Sequence, residues 1–264
     1  MAMPDTSRAV NTRLADGTSV KIEYHGELSS VTELAREYAK AGYPDKYIVV
    51  TEKHGAAQLT AGKVKEGEYE KGVYIACLLR PSFFPAQAGL IGHLCATAFA
   101  EALEAHTTKK IGLGWVTDVY CDGVKIGGCA IEGKLTSYSA YEYMIVTMAV
   151  RLDEKNFPPR LSDMVRKVFQ STEQSIPMII ARSILDRFFM AYSSVRNPGK
   201  YMDAYKRKFA LYGKKIKYIS GEKKKTYRVS DVDRNNGMLI ITNGRGETVE
   251  VKSPSTVIMP RKID

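Results

Sequence analysis

The chain has 264 residues, 44% of them hydrophobic, and a formal net charge of +10. That length suits one large core plus a small second unit, and no apolar run approaches the roughly 20 residues that a bilayer-spanning helix needs. The four cysteines (Cys77, Cys95, Cys121, Cys129) lack zinc-motif spacing, and residues 1–13 carry no apolar leader, so a reduced, cytoplasmic setting is expected.

In chain order, Val20 to Tyr24 alternates as a strand. Ser30 is an N-cap with Glu33 completing a capping box, opening a helix that Gly42-Tyr43-Pro44 stops. Tyr47 to Thr51 is a β-branched strand, His54 to Lys71 a long polar loop, and Val73 to Leu79 a buried strand. Pro85 to His106 reads as one helix, its apolar residues at helical spacing. Ile111 to Trp115 is a short strand, and Asp122-Gly123 between Val119–Cys121 and Val124–Glu132 is a strong hairpin signal. Tyr141 to Leu152 is a further strand. Helices are predicted near 160–170 and 175–192, and a short one from Met202 to Leu211, with Arg196-Asn197-Pro198-Gly199 as a break. After Gly213 five short strands (216–219, 225–231, 238–242, 247–251, 256–259) indicate a small β-barrel. Lys200 to Arg234 holds twelve Lys/Arg against four Asp/Glu. Such a patch fits a nucleic acid or an acidic protein, or is a solvated basic face; no nucleic-acid motif accompanies it.

The segment from Gly114 to Glu132 resembles the biotin protein ligases, whose pattern is K-W-P-N-D, a strand, a tight turn, K-[IL]-[AG]-G and a strand ending in Glu. Trp115, Asp118, the Asp122-Gly123 turn, Lys125, one glycine of the Gly127-Gly128 pair and Glu132 fall in register. Gly72-Val73-Tyr74 with Leu79-Arg80-Pro81, the strand from Val150 toward Pro158, and the β-rich tail resemble further family segments. The resemblance implies an α+β fold: a mixed β-sheet with packed helices, of biotin/lipoate ligase type, over 21–210, preceded by a 1–20 tail and followed by an SH3-like β-barrel over 211–264. It implies ATP and Mg²⁺, with biotin or a related carboxylate joined through an acyl adenylate to a carrier-protein lysine, and a homodimer. A repressor domain is not expected, since about twenty residues precede the first predicted strand, so DNA is not an expected partner; nor is a membrane.

The departures from the family are specific. Its A-G-R-G-R-x-G-R loop falls on Ala56 to Lys63, where Gln58 and Thr60 stand for two arginines while Gly62 and Lys63 remain. The K-W-P-N-D lysine is Gly114, its proline Val116 and its asparagine Thr117; the asparagine of G-I-N is Arg151. The S-T-N opening the first helix is Ser30-Val31-Thr32, and His54 stands where a pocket glutamine is found. Arginine forks and close-approaching backbone N–H groups neutralise phosphate, so their loss implies reduced adenylation or a pseudoenzyme. The resemblance puts Lys125 and Lys63 in the catalytic role, and Ser30, Thr32, His54, Gln58, Gly62, Trp115, Asp118, Gly127 and Arg151 around substrate and nucleotide. A cysteine nucleophile is an alternative, because Cys121 and Cys129 flank Lys125. His25, His54, His93 and His106 lack metal-ligand spacing, and His93 and His106 are expected on a helix surface or end.

Overall fold

A computed structural model describes residues 8–55, 69–152, 176–221, 223–260 and 262–263. Eight strands form one mixed sheet: β1 (Arg8–Arg13), β2 (Ser19–His25), β3 (Tyr47–Gly55), β4 (Tyr69–Leu79), β5 (Ile111–Leu113), β6 (Asp118–Cys121), β7 (Val124–Leu135) and β8 (Tyr141–Arg151). Their order is β1-β2-β3-β4-β8-β7-β6-β5. Only β2 and β3 run parallel, joined by α1 (Val31–Lys40) as the crossover; the other neighbours are antiparallel. β1 lies where a tail is expected: a turn with Gly17 at φ 86° and Asp16 holding Thr18 folds Arg8–Arg13 back along β2, whose edge groups it pairs.

Ser30 caps α1 by accepting the Glu33 N–H at 3.2 Å, as the capping-box reading requires. The Arg80 guanidinium donates to Ala39 O, Tyr43 O and Glu142 O, closing the other end of that helix against the sheet. The predicted 85–106 helix is two pieces, a 3₁₀ turn at Pro85–Ala88 and then α2 (Ile91–Glu104), with Gly89-Leu90 between them. The helix predicted at 160–170 lies outside the described residues. α3 (Ile176–Tyr192) follows its predicted span. The last helix, α4 (Pro198–Lys208), begins earlier than predicted, because a proline placed in the first helical turn loses no hydrogen bond.

Two apolar layers flank the sheet. Val31, Ala35 and Ala39 of α1 bury Val49, Ala76, Ile145 and Ala149 on one face. The larger layer packs Leu94, Phe99 and Leu103 of α2 and Ile180, Ile184 and Phe188 of α3 against Ile75, Cys77, Val146 and Met148. This layer continues into a second, antiparallel sheet of β9 (Lys215–Ser220), β10 (Lys223–Val232), β11 (Leu239–Thr242), β12 (Thr248–Val251) and β13 (Val257–Ile258), ordered β12-β11-β10-β9-β13. Its Val229, Val232, Leu239 and Ile241 are buried while Lys215, Lys217, Lys224 and Arg228 are exposed, so the basic run follows the alternation of β9 and β10 onto solvent.

Candidate functional site

The β6–β7 hairpin sets the geometry of the site. Asp122 (φ 46°) and Gly123 (φ 78°) make a two-residue turn with both central residues left-handed, the type I′ pattern that matches strand twist. A bulge then interrupts the ladder: Tyr120 faces Lys125 but Val119 faces Gly127. The extra residue puts Lys125 on the face of Tyr120 and Asp118, and its Nζ meets Asp118 Oδ1 at 2.7 Å. The Asp118 side chain is 18% exposed and Lys125 37%, so the pair is screened by water on one side only.

The same bulge answers the cysteine alternative. It turns Cys129, opposite Met148, toward the α2 layer and away from Lys125. Burial, with Cys95, Asp118 and Cys77 adding to it, holds the Cys129 thiol well above the ordinary range, so it is protonated at neutral pH. Cys121 is buried in the core. With Cys121 buried and the Cys129 thiol held protonated, neither is activated as a nucleophile.

Two clefts meet at the Lys125–Asp118 pair. The smaller, about 90 Å³, is lined by Tyr74, Ala149, Gly127 and Arg151 as well as by the pair. Arg151, at the end of β8, donates from Nη2 to the Lys125 carbonyl at 3.2 Å, so the cation that replaces the family asparagine sits on the same wall as Lys125. Gly127 is required by closeness: a Cβ there would lie 2.0 Å from Ala149 O. The larger cleft, about 840 Å³, opens between the first sheet and the second, and is lined by Trp115, Thr117, Lys125, Asn236, Lys252 and Ile258 among others. Lys125, Asp118 and Cys129 line both.

Other expected site residues are used in packing. Thr32 Oγ1 meets Thr147 Oγ1 at 2.9 Å, and Ser30 is spent on its cap. His54 is 3% exposed. Its Nε2 accepts the Val31 N–H at 3.2 Å, its Nδ1–H donates to Gly55 O at 2.7 Å, and its ring stacks on Tyr74 at 4.8 Å. It closes the N-terminus of α1 and is not among the residues lining either cleft. Trp115 lines the larger cleft with its rim but is buried, its Nε1–H donating to Gly237 O at 2.7 Å. Glu132 takes a two-pronged bond from Arg36 at 2.9 and 2.8 Å, tying β7 to α1. Gln58, Gly62 and Lys63 lie outside the described residues.

Some site residues escaped the sequence reading. His93, expected at a helix surface, is buried; its Nε2–H shares Gly237 O with Trp115, and burial lowers its pKa to about 4. Tyr120, whose hydroxyl reaches Pro260 O at 2.6 Å, crowds Gly114: a Cβ there would lie 2.8 Å from Tyr120 Cε2. The space for the family lysine is closed. Lys252 follows β12 with no motif beside it, and only the docking of the two sheets brings it to the cleft. Among the described residues no three His, Cys, Asp or Glu converge as a metal centre, and none of the helices is long and apolar enough to cross a membrane.

No family model matches the chain. It is 24% identical over 154 residues to the bifunctional ligase/repressor BirA of Bacillus subtilis, a match covering 58% of this chain and 47% of that protein, so the chain spans about half the length of the curated relatives it matches. Among solved structures, a mutant biotin protein ligase from Aquifex aeolicus in complex with biotin superposes with TM-score 0.66 at 19% identity, over 91% of this chain and 98% of that one. The Aquifex aeolicus ligase in complex with biotin and ATP gives 0.63 at 17% identity, over 90% and 97%. The mixed eight-stranded sheet, its helices and the second antiparallel sheet are the biotin protein ligase fold, and the chain is similar to the biotin protein ligases in the hairpin that carries Trp115, Asp118, Lys125 and Glu132.

Proposed function

We propose that the chain is a divergent ligase that joins biotin or a related carboxylate to a carrier-protein lysine through an acyl adenylate, at a reduced rate. The observation that carries this reading is Lys125, held by Asp118 where two clefts meet and backed by Arg151. The acid would lie in the small cleft and ATP in the large one. A carboxylate oxygen attacks the α-phosphorus, the bond to the β-phosphate oxygen breaks, and pyrophosphate leaves. The Nζ of the acceptor lysine then attacks the acyl carbon; the bond to AMP breaks and the amine proton passes to solvent. Lys125 and Arg151 offset the negative charge that gathers at the junction. Mg²⁺, when bound, would supply charge neutralisation at the phosphates, and Asp118, among the described residues the carboxylate lining both clefts, would help hold it.

Each missing phosphate partner costs on the order of 10²–10³ in rate, which is why slow turnover is expected. The closed space at Gly114 favours a second reading, a non-catalytic homologue that binds a carboxylate, a nucleotide or a partner protein. ATP–pyrophosphate exchange dependent on Mg²⁺ and on biotin, lipoate or octanoate decides between them. Exchange that Lys125→Ala lowers at least about a hundredfold supports the ligase; no exchange with any acid, from folded protein, refutes it. In this reading 21–210 is the catalytic unit and 211–264 an SH3-like one.

A further inference from the structure

Lys214 to Arg228 carries seven Lys/Arg and one acid, Glu222, and the pairing of the second sheet decides where those charges go. Ile216 of β9 pairs with Tyr227 of β10 and both are buried, so their neighbours along each strand point to the opposite, outer face. Lys215, Arg228, Thr242 and Thr248 stand side by side on that face across β9, β10, β11 and β12. In the next row Lys217 stands beside Thr226, and in the row after it Lys224 stands beside Ile219. The four cations are all exposed. Asp231 and Glu250, the acids of these strands, lie at the other end of the face, and Asp231 is already bound to Lys206 at 2.9 Å.

Lys215 and Arg228 are directly opposite each other, an arrangement of like charges that destabilises a sheet. Lys215, Lys217 and Lys224 have no ion pair among the described residues, whereas Lys206 and Arg234 nearby are each paired with a carboxylate. Arg228 donates to the Gly213 carbonyl at 2.6 Å, a partner that leaves its charge uncancelled. Tyr218 and Tyr227, the aromatic residues of β9 and β10, pack edge to face on the other side, their centroids 5.5 Å apart. The face therefore offers bases no ring to stack on. Its central positions are Arg228 and Thr226, where a protein interface has apolar or aromatic anchors. Lysine and arginine interleaved with threonine hydroxyls are the groups that bind phosphate oxygens of a duplex.

We propose that the outer face of the second sheet binds the phosphate backbone of duplex nucleic acid, without base contacts. None of the four cations lines either cleft, so this binding is separate from the ligase reading and neither depends on the other.

The test is fluorescence anisotropy of a labelled, mixed-sequence DNA duplex titrated with the full chain at several salt concentrations. Four phosphate contacts give a slope of log affinity against log salt of about −3 to −4. The triple variant Lys215→Ser, Lys217→Ser, Lys224→Ser should weaken binding at least about tenfold at low salt and flatten the slope by about 2–3. It should melt at or above the parent's midpoint, because it removes the repulsion between Lys215 and Arg228, and that melting shows it to be folded. A control triple, Lys40→Ser, Lys110→Ser, Arg187→Ser, removes the same charge from exposed positions outside the second sheet and should bind within about twofold of the parent. Equal weakening by the two triples means that net charge alone is responsible, and overturns the proposal. A parent that binds no duplex at low salt overturns it too, as does tighter binding of a single strand of the same length. Polyglutamate bound more tightly than the duplex, and released by the first triple, overturns it in favour of an acidic protein.

Discussion

His54→Ala tests whether that histidine belongs to the fold or to the ligand cavity. In the structure its ring accepts the N–H of Val31, which is fully buried, donates to Gly55 O and stacks on Tyr74. Alanine leaves the Val31 N–H, one of the donors at a helix start that the helix itself does not satisfy, with no acceptor. A buried donor left unmade costs about 1–3 kcal/mol. Loss of the ring contacts adds a cavity term of about 1–2 kcal/mol, at the low end for large-to-small changes because the Gly55 side is half open. The expected sum is about 3 kcal/mol. In a chain of this size that lowers the melting midpoint by roughly 6–12 °C. His54→Gln keeps one acceptor for Val31 but loses the stack, and should fall about halfway. Thermal unfolding followed by circular dichroism gives the shift, and titration with biotin on the same samples gives binding. A His54→Ala protein that melts within about 2 °C of the parent but has lost its response to the carboxylate would refute the reasoning.

Three further outcomes are expected. Burial lowers His93 to about 4. Between that value and about 6.5 the unfolded chain binds a proton that the folded one does not, so stability is fully present above about 6.5, falls as pH drops through the window, and is flat below it, a change of about 3 kcal/mol; urea midpoints across pH 4–7 should lose this slope in His93→Gln. Gly114→Lys, which restores the family residue, should destabilise by about 1–3 kcal/mol without raising exchange, because the new Cβ meets a Tyr120 ring that is buried and anchored on Pro260; higher exchange from a stable variant would contradict the packing argument. Glu23 is buried and accepts from Tyr47 at 2.5 Å and Tyr38 at 2.8 Å. Its burial raises the pKa, but these bonds and the charge of His25 outweigh it, so the net shift is downward. That contribution is present above the ordinary carboxylate range and lost as pH falls through the lowered value; Glu23→Gln should shrink the acid-side loss of stability, measured by urea unfolding between pH 3 and 6.

Local signals in the sequence reported local structure faithfully. The Ser30–Glu33 capping box, the Asp122-Gly123 turn, the α3 span and the five strands of the second sheet depend on φ preferences and short-range hydrogen bonds, which the residues themselves carry. The resemblance to the biotin protein ligases was legible for the same reason: Trp115, Asp118, Lys125 and Glu132 stand at fixed separations along one hairpin. The roles of those residues were not legible. His54, Thr32 and Ser30 carry polar groups suited to a ligand, yet the helix start and the sheet consume them. Whether a side chain faces ligand or backbone depends on what the rest of the fold leaves unsatisfied.

The bulge at Val119/Tyr120 shows the same division. Regular strand alternation would put Lys125 and Cys129 on one face; a single extra residue puts them on opposite faces, joins Lys125 to Asp118 and packs Cys129 against the core. The sequence alone determined the hairpin, the helix caps, the alternation that exposes the basic strands, and the absence of the phosphate-loop arginines. Only tertiary structure decided that Tyr120 closes the lysine position, that Gly237 O joins Trp115 to His93, and that Lys125 and Lys252 line one cleft. Those contacts link positions about a hundred residues or more apart, or turn on side-chain volume in three dimensions, and no local preference in the chain encodes them.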